Sequence, residues 1–187
     1  MSRMDGGVWL VTGVQAAGKS TVADLLAAQF ERGVHIRGGQ FYRWVVRGWV
    51  HVDGEPASEA RRLLDLRYRL SARVADEYSA AGFAVVVQDN IFGADISRWF
   101  NSIAARPRHL VVLRPSVAAI VARDEARRQR TGKVAYREGA PTIEALDDLL
   151  ATTPRVGLWL DTSNQEPEQT VTEILNRVSE TLVDAQI

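Results

Sequence analysis

The chain has no cysteine. That excludes disulfides, thiolate metal centres and thiol nucleophiles. Its three histidines, His35, His51 and His109, have no metal-ligand spacing and carry no chemistry in this reading. Neither sign of charge prevails: 23 Lys plus Arg stand against 23 Asp plus Glu. Zero net charge argues against a general nucleic-acid binder, although it leaves room for a local patch. No apolar run reaches membrane length and no signal peptide opens the sequence, so a cytoplasmic location is the expectation. Repeats and low-complexity segments are absent as well. What remains is an ordinary soluble composition, 46% hydrophobic and 25% charged over 187 residues. That length predicts a single domain, residues 1–187, with a substantial core.

One stretch carries a strong signal: Gly13-Val14-Gln15-Ala16-Ala17-Gly18-Lys19-Ser20, followed by Thr21. Gly, four residues, Gly-Lys-Ser is the P-loop pattern. Its glycines permit backbone angles closed to other residues. Backbone N–H groups can then surround phosphate oxygens. Lys19 adds positive charge near the β- and γ-phosphates, and the Ser20 hydroxyl is a Mg²⁺ ligand in such sites. An apolar run, Val8 to Thr12, precedes the loop, and Val22, Leu25, Leu26 and Phe30 follow at helical spacing. A chance match in a Gly/Ala-rich turn would lack those flanks. The loop therefore predicts a bound nucleoside triphosphate, ATP first.

Apolar runs at Val8–Thr12, Val34–Arg37, Phe83–Gln88, His109–Arg114 and Gly157–Asp161 predict strands. Helical patterns lie between them: Ser20 to Glu31, Ser58 to Ala81, Ser116 to Arg128, Thr142 to Ala151 and Pro167 to Val183. In the long one, Leu63, Leu66, Leu70, Val74 and Tyr78 form the expected inward stripe. In the last, Val171, Ile174, Leu175, Val178 and Leu182 do. Alternating strands and helices predict an α/β parallel sheet covered on both faces, with ligands at the carboxyl ends of the strands.

The segments after the strands then hold the chemistry. After the second come Arg37-Gly38-Gly39-Gln40-Phe41-Tyr42-Arg43, after the third Asp89-Asn90, and after the fifth Asp161-Thr162-Ser163-Asn164. Asp89 closes Val85-Val86-Val87-Gln88, a Walker B-like pattern. An acid there can hold Mg²⁺ through water or take a proton from an acceptor hydroxyl. A plain Asp-Asn turn is the alternative. Arg37, Arg43 and Arg47 are candidates to grip an anionic acceptor, set against simple surface charge. Tyr42, Trp44 and Trp49 interleave with them. Arg61, Arg62, Arg67, Arg69 and Arg73 alternate with acids on the long helix and read as a solvated face.

Together these motifs resemble the small P-loop kinases of the nucleoside-monophosphate-kinase-like fold, within the chloramphenicol phosphotransferase, gluconate kinase and shikimate kinase group. The resemblance spans nearly the whole chain. It implies a three-layer P-loop NTPase with strand order 2-3-1-4-5, placing the third strand beside the P-loop. It also implies a lid, about residues 123–141, whose RDEARRQRTGK stretch brings Arg123, Arg127, Arg128 and Arg130 over the nucleotide. Arg127 and Arg130 are the first candidates to meet the transferring phosphoryl, and the loop at Ser163 to pass beside the base. The group commonly carries an aspartate near Gly38-Gly39. Here Asp89 is the first substitute, with Asp53 or Glu55 as others, or transfer is weak.

The reading is a Mg²⁺- and ATP-dependent kinase acting on a hydroxyl of a small molecule such as an antibiotic or a sugar acid, monomeric or homodimeric. A nucleotide-binding switch with weak or no transfer is the rival. A kinase of nucleotide or polynucleotide ends is a third reading.

Overall fold

The computed structural model describes residues 6–51, 54–132, 136 and 141–183. Five parallel strands form one sheet: β1 Val8–Thr12, β2 Gly33–Arg37, β3 Ala84–Gln88, β4 Arg108–Leu113 and β5 Leu158–Leu160. Their order is β2-β3-β1-β4-β5, as expected, with helices on both faces. β1 is central, and its residues are buried throughout. Its register aligns Leu10 with Val87 on one side and Leu110 on the other. Branched and aromatic side chains packed on both faces explain why these runs are continuous rather than alternating. β2 is an edge strand in which only Ile36 is fully buried.

The helices are α1 Lys19–Ala27, α2 Gly39–Arg43, α3 Ala57–Ala80, α4 Ala94–Asn101, α5 Val117–Thr131, α6 Ile143–Ala151, α7 Pro167–Asn176 and α8 Val178–Thr181. Caps fix several starts. Ser116 accepts from the Ala119 N–H and Thr142 from the Ala145 N–H. Glu166 and Gln169 form a capping box ahead of Pro167.

Three expectations change. α2 and α4 were not foreseen. α2 is one turn opened by glycine, a weak helical signal. α4 is short, with Ile96, Trp99 and Phe100 buried at three- and four-residue spacing. On α3 the stripe is rotated. Ala60, Leu63, Tyr68, Ser71, Ala72 and Ala75 face inward, while Leu66 and Tyr78 are exposed. Small residues let this helix lie close to its neighbours, and the Trp99 indole N–H donates to Ser71 Oγ at 3.0 Å. The last helix breaks at Arg177, whose φ of −121° leaves helical range. Leu182 turns outward, Val183 turns in, and an antiparallel bridge joins Leu182 to His109.

Candidate functional site

The loop between β1 and α1 is shaped by its backbone. Gly13 has φ 146°, and a Cβ there would stand 2.3 Å from the Leu113 carbonyl oxygen. Gly18 caps α1 in the left-handed region at φ 95°. Between them Ala16 has φ 61°, a positive value at a residue with a side chain. Val14 and Ala17 are buried beneath, while Ser20 and Thr21 are exposed at the start of α1. Strand, glycine turn and helix N-terminus together make an anion cradle.

Lys19 is buried, and its Nζ donates to the Val14 carbonyl oxygen at 2.6 Å. Burial, then the guanidinium groups of Arg67 and Arg127, lower its ammonium to about 7. A bound polyphosphate would oppose those causes by supplying compensating negative charge.

A cleft of about 830 Å³ runs outward from this loop. Gln15 to Val22 form one wall, Gln88 and Asn90 close the phosphate end, and Arg123, Arg127 and Arg130 of α5 approach from above. Thr162, Ser163 and Asn164, after β5, lie at the far end. Arg123 donates to the Thr162 carbonyl oxygen and, at 3.4 Å, to that of Ala17, tying the two walls together. Arg127 pairs with Asp124, and its Nε is buried with no hydrogen-bond partner among the described residues. Arg130 is exposed on the rim. Ser163 Oγ accepts from the Ser116 N–H at 2.8 Å and donates to Asp161. Tyr136 reaches the loop from outside, its hydroxyl donating to the Gln15 carbonyl oxygen at 2.8 Å.

The acceptor-side candidates are placed differently. Asp89 does not face Ser20; the Ser20 hydroxyl donates to Gln88 Oε1 at 3.0 Å. Successive side chains in a strand point to opposite faces, so the residue before the acid meets the P-loop. Asp89 is fully buried. Its Oδ2 accepts from Arg67 Nε at 3.0 Å, and its Oδ1 from Arg67 Nη2 and from the Asn90 N–H at 2.7 Å. Arg67 is therefore not part of a solvated face: its side chain is 14% exposed. Arg37 is held by Asp24 at 2.7 Å, and Arg43 and Arg47 are exposed; none of the three lines the cleft. Asp53, like most of the lid stretch beyond Gly132, lies outside the described residues.

Sequence reasoning missed Gln88 and Arg67. Strand alternation could have found Gln88. Nothing local marks Arg67 among the charges of α3.

Among the described residues no cluster of His, Asp and Glu could by itself hold a metal, and no helix is long and apolar enough to cross a membrane. A central P-loop strand, sheet order 2-3-1-4-5 and an arginine-lined cleft at the strand ends define a P-loop protein with a small-molecule-kinase-like fold. The AAA domain family model matches residues 8–153, and the chain belongs to that family. No curated protein is similar enough in sequence to count as a relative. Solved structures are similar throughout. A sugar kinase from a Janibacter species has TM-score 0.64 and 20% identity over 92% of this chain and 94% of that one. A gluconokinase from Sinorhizobium meliloti has 0.59 and 20% over 95% and 93%. The APS kinase of Mycobacterium tuberculosis, in complex with AMPPNP and APS, has 0.62 and 15% over 94% and 98%. At such identities the likeness shows the fold.

Proposed function

We propose that this chain is an ATP-dependent phosphotransferase that moves the γ-phosphate to a small molecule. The observation that carries the reading is one cleft holding the P-loop, Lys19 and three arginines of α5. In this reading Gly13 to Thr21 hold the phosphates, Arg123 and Ser163 border the nucleotide, and Lys19, Arg127 and Arg130 offset charge on the transferring phosphoryl. Residues 123–141 act as the lid of a single kinase domain.

Mg²⁺ suits the hydroxyl of Ser20, with Gln88 Oε1 beside it in place of an acid. When bound it neutralises charge between the β- and γ-phosphates. Asp89 acts on this site through Arg67, since its oxygens are taken up by that guanidinium and the Asn90 N–H. Neighbours named as sugar kinase and gluconokinase make sugars and sugar acids the first acceptors to screen.

The pairing of Asp89 also favours a second reading, a nucleotide-binding switch with little transfer. The test is ADP release by the parent protein across an acceptor panel, beside nucleotide affinity and thermal midpoint for Lys19→Ala. The kinase reading expects acceptor-dependent ADP release that Lys19→Ala lowers on the order of 10²–10³-fold with the fold retained. Nucleotide binding with no acceptor-dependent release supports the switch. No nucleotide binding by the parent overturns both.

A further inference from the structure

The phosphate end of the cleft carries a neutral amide where a P-loop site commonly has an acid. Gln88 closes β3 and is held on both sides, in register with Val11 of β1 and with Arg37 of β2. Its carbonyl oxygen accepts from the Gly38 N–H at 3.0 Å. Its side chain is half-buried and lines the cleft with Lys19 and Ser20. The Ser20 hydroxyl gives its one proton to Gln88 Oε1 at 3.0 Å, which leaves the lone pairs of the serine oxygen for a ligand. Gln88 Nε2 has no hydrogen-bond partner among the described residues, so its two N–H groups are open to an acceptor. The adjacent acid, Asp89, is enclosed by Arg67 and the Asn90 N–H. Among the described residues that line the cleft, the one carboxylate is that of Glu166, which caps the start of α7. The charges around the phosphate end are positive: Lys19, with Arg67 and Arg127 within electrostatic reach of it.

A magnesium site ordinarily joins one or two carboxylates to the phosphates of its substrate. Here the protein offers a free divalent ion two neutral oxygens and the repulsion of three nearby cations. A bound nucleotide reverses that field, because its phosphates bring the negative charge. The amide then offers what a carboxylate cannot, an N–H for a phosphate oxygen. We propose that Gln88 couples the divalent metal to the nucleotide: its oxygen holds the Ser20 hydroxyl for the metal, its nitrogen donates to the terminal phosphate, and the metal is held only as the nucleotide complex. Gln88 is in this way a specificity-determining residue for the metal–nucleotide pair. An acid at the same place would invert the balance, attracting free metal and repelling free nucleotide. The assignment rests on nucleotide binding, which the kinase reading and its rival share.

The test separates metal from nucleotide. Mn²⁺ is titrated into the nucleotide-free protein and followed by the loss of its free electron-spin signal. AMPPNP is titrated by calorimetry, once with Mg²⁺ and once with EDTA. The parent should bind no Mn²⁺ up to about 1 mM without nucleotide. It should bind AMPPNP at least about tenfold more tightly with Mg²⁺ than without. Gln88→Glu keeps the shape and adds a negative charge. It should bind Mn²⁺ without nucleotide and lose metal-free AMPPNP affinity by about tenfold, which widens the ratio. Gln88→Met keeps the length and removes both polar atoms, and should narrow the ratio to about threefold or less. Thermal midpoints check that both variants fold. A purely structural role for Gln88 would weaken both forms of AMPPNP equally and leave the ratio at the parent's value. Mn²⁺ binding by the nucleotide-free parent overturns the proposal, and so does a ratio that Gln88→Glu leaves unchanged. Failure of the parent to bind AMPPNP in either form overturns nucleotide binding instead.

Discussion

The P-loop and the buried cluster at Asp89 are built from different materials. The P-loop is mainly backbone, a strained loop closed by two glycines and a helix start contiguous in sequence. The Asp89 cluster is side chains from distant segments, Arg67 of α3 meeting Asp89 after β3 beneath Gly38 after β2. A contiguous loop can carry its function as a short pattern. A site assembled by long-range pairing cannot.

The largest expected contrast is in pH dependence. Lys19 is lowered to about 7 by burial first, and by Arg67 and Arg127. Triphosphate favours the charged amine, so binding above pH 7 takes up a proton. ATP affinity should therefore fall as pH rises, by up to about tenfold per unit well above pH 7, or at most about fiftyfold between pH 7 and 9. Calorimetry in buffers of different ionisation heat reads the proton directly. The guanidinium of Arg67 keeps its charge across this range, so the Lys19 amine sets the slope. A flat ATP affinity from pH 7 to 9 would overturn this role for Lys19.

Next in size is Gly38→Ala. Its Cβ would overlap a carboxylate that Arg67 and the Asn90 N–H both pin, so a loss of about 1–3 kcal/mol is expected in urea unfolding. An unchanged urea midpoint would mean that Asp89 is free to move. Tyr136→Phe probes the nucleotide end instead. It removes a single hydrogen bond to the Gln15 carbonyl, a contribution of about 0.5–1.5 kcal/mol, and should lower the thermal midpoint by about 1–6 °C. The smallest effect is expected at Gly39→Ala, where space is open and the residue starts α2. That change should be neutral or stabilise by up to about 1 kcal/mol. A loss as large as that of Gly38→Ala would erase the distinction between the paired glycines.

Much of the fold was legible because burial on two faces writes continuous apolar runs. Val8–Thr12 matches β1 to the residue, and the other strands differ by one position at one end or at both. α3 was legible as a helix but not in its orientation. Its large apolar residues suggested the stripe, whereas the small residues Ala60, Ser71, Ala72 and Ala75 decided which face could approach the core. At the site, the residues from Gly13 to Thr21 could be read in order, together with the arginines of α5 that border the cleft. Arg37 could not, because its partner Asp24 belongs to another element and nothing near Arg37 in sequence announces the pair.

The sequence by itself determined the P-loop pattern and a parallel sheet covered on both faces, which follow from local sterics and burial, while the strand order followed from the family resemblance. Only the tertiary structure decided that Gln88 meets Ser20 and that Asp89 turns to Arg67, 22 residues away in sequence. A one-residue step along a strand reverses the side chain's face, and a carboxylate enclosed in the core requires a partner that only packing can supply.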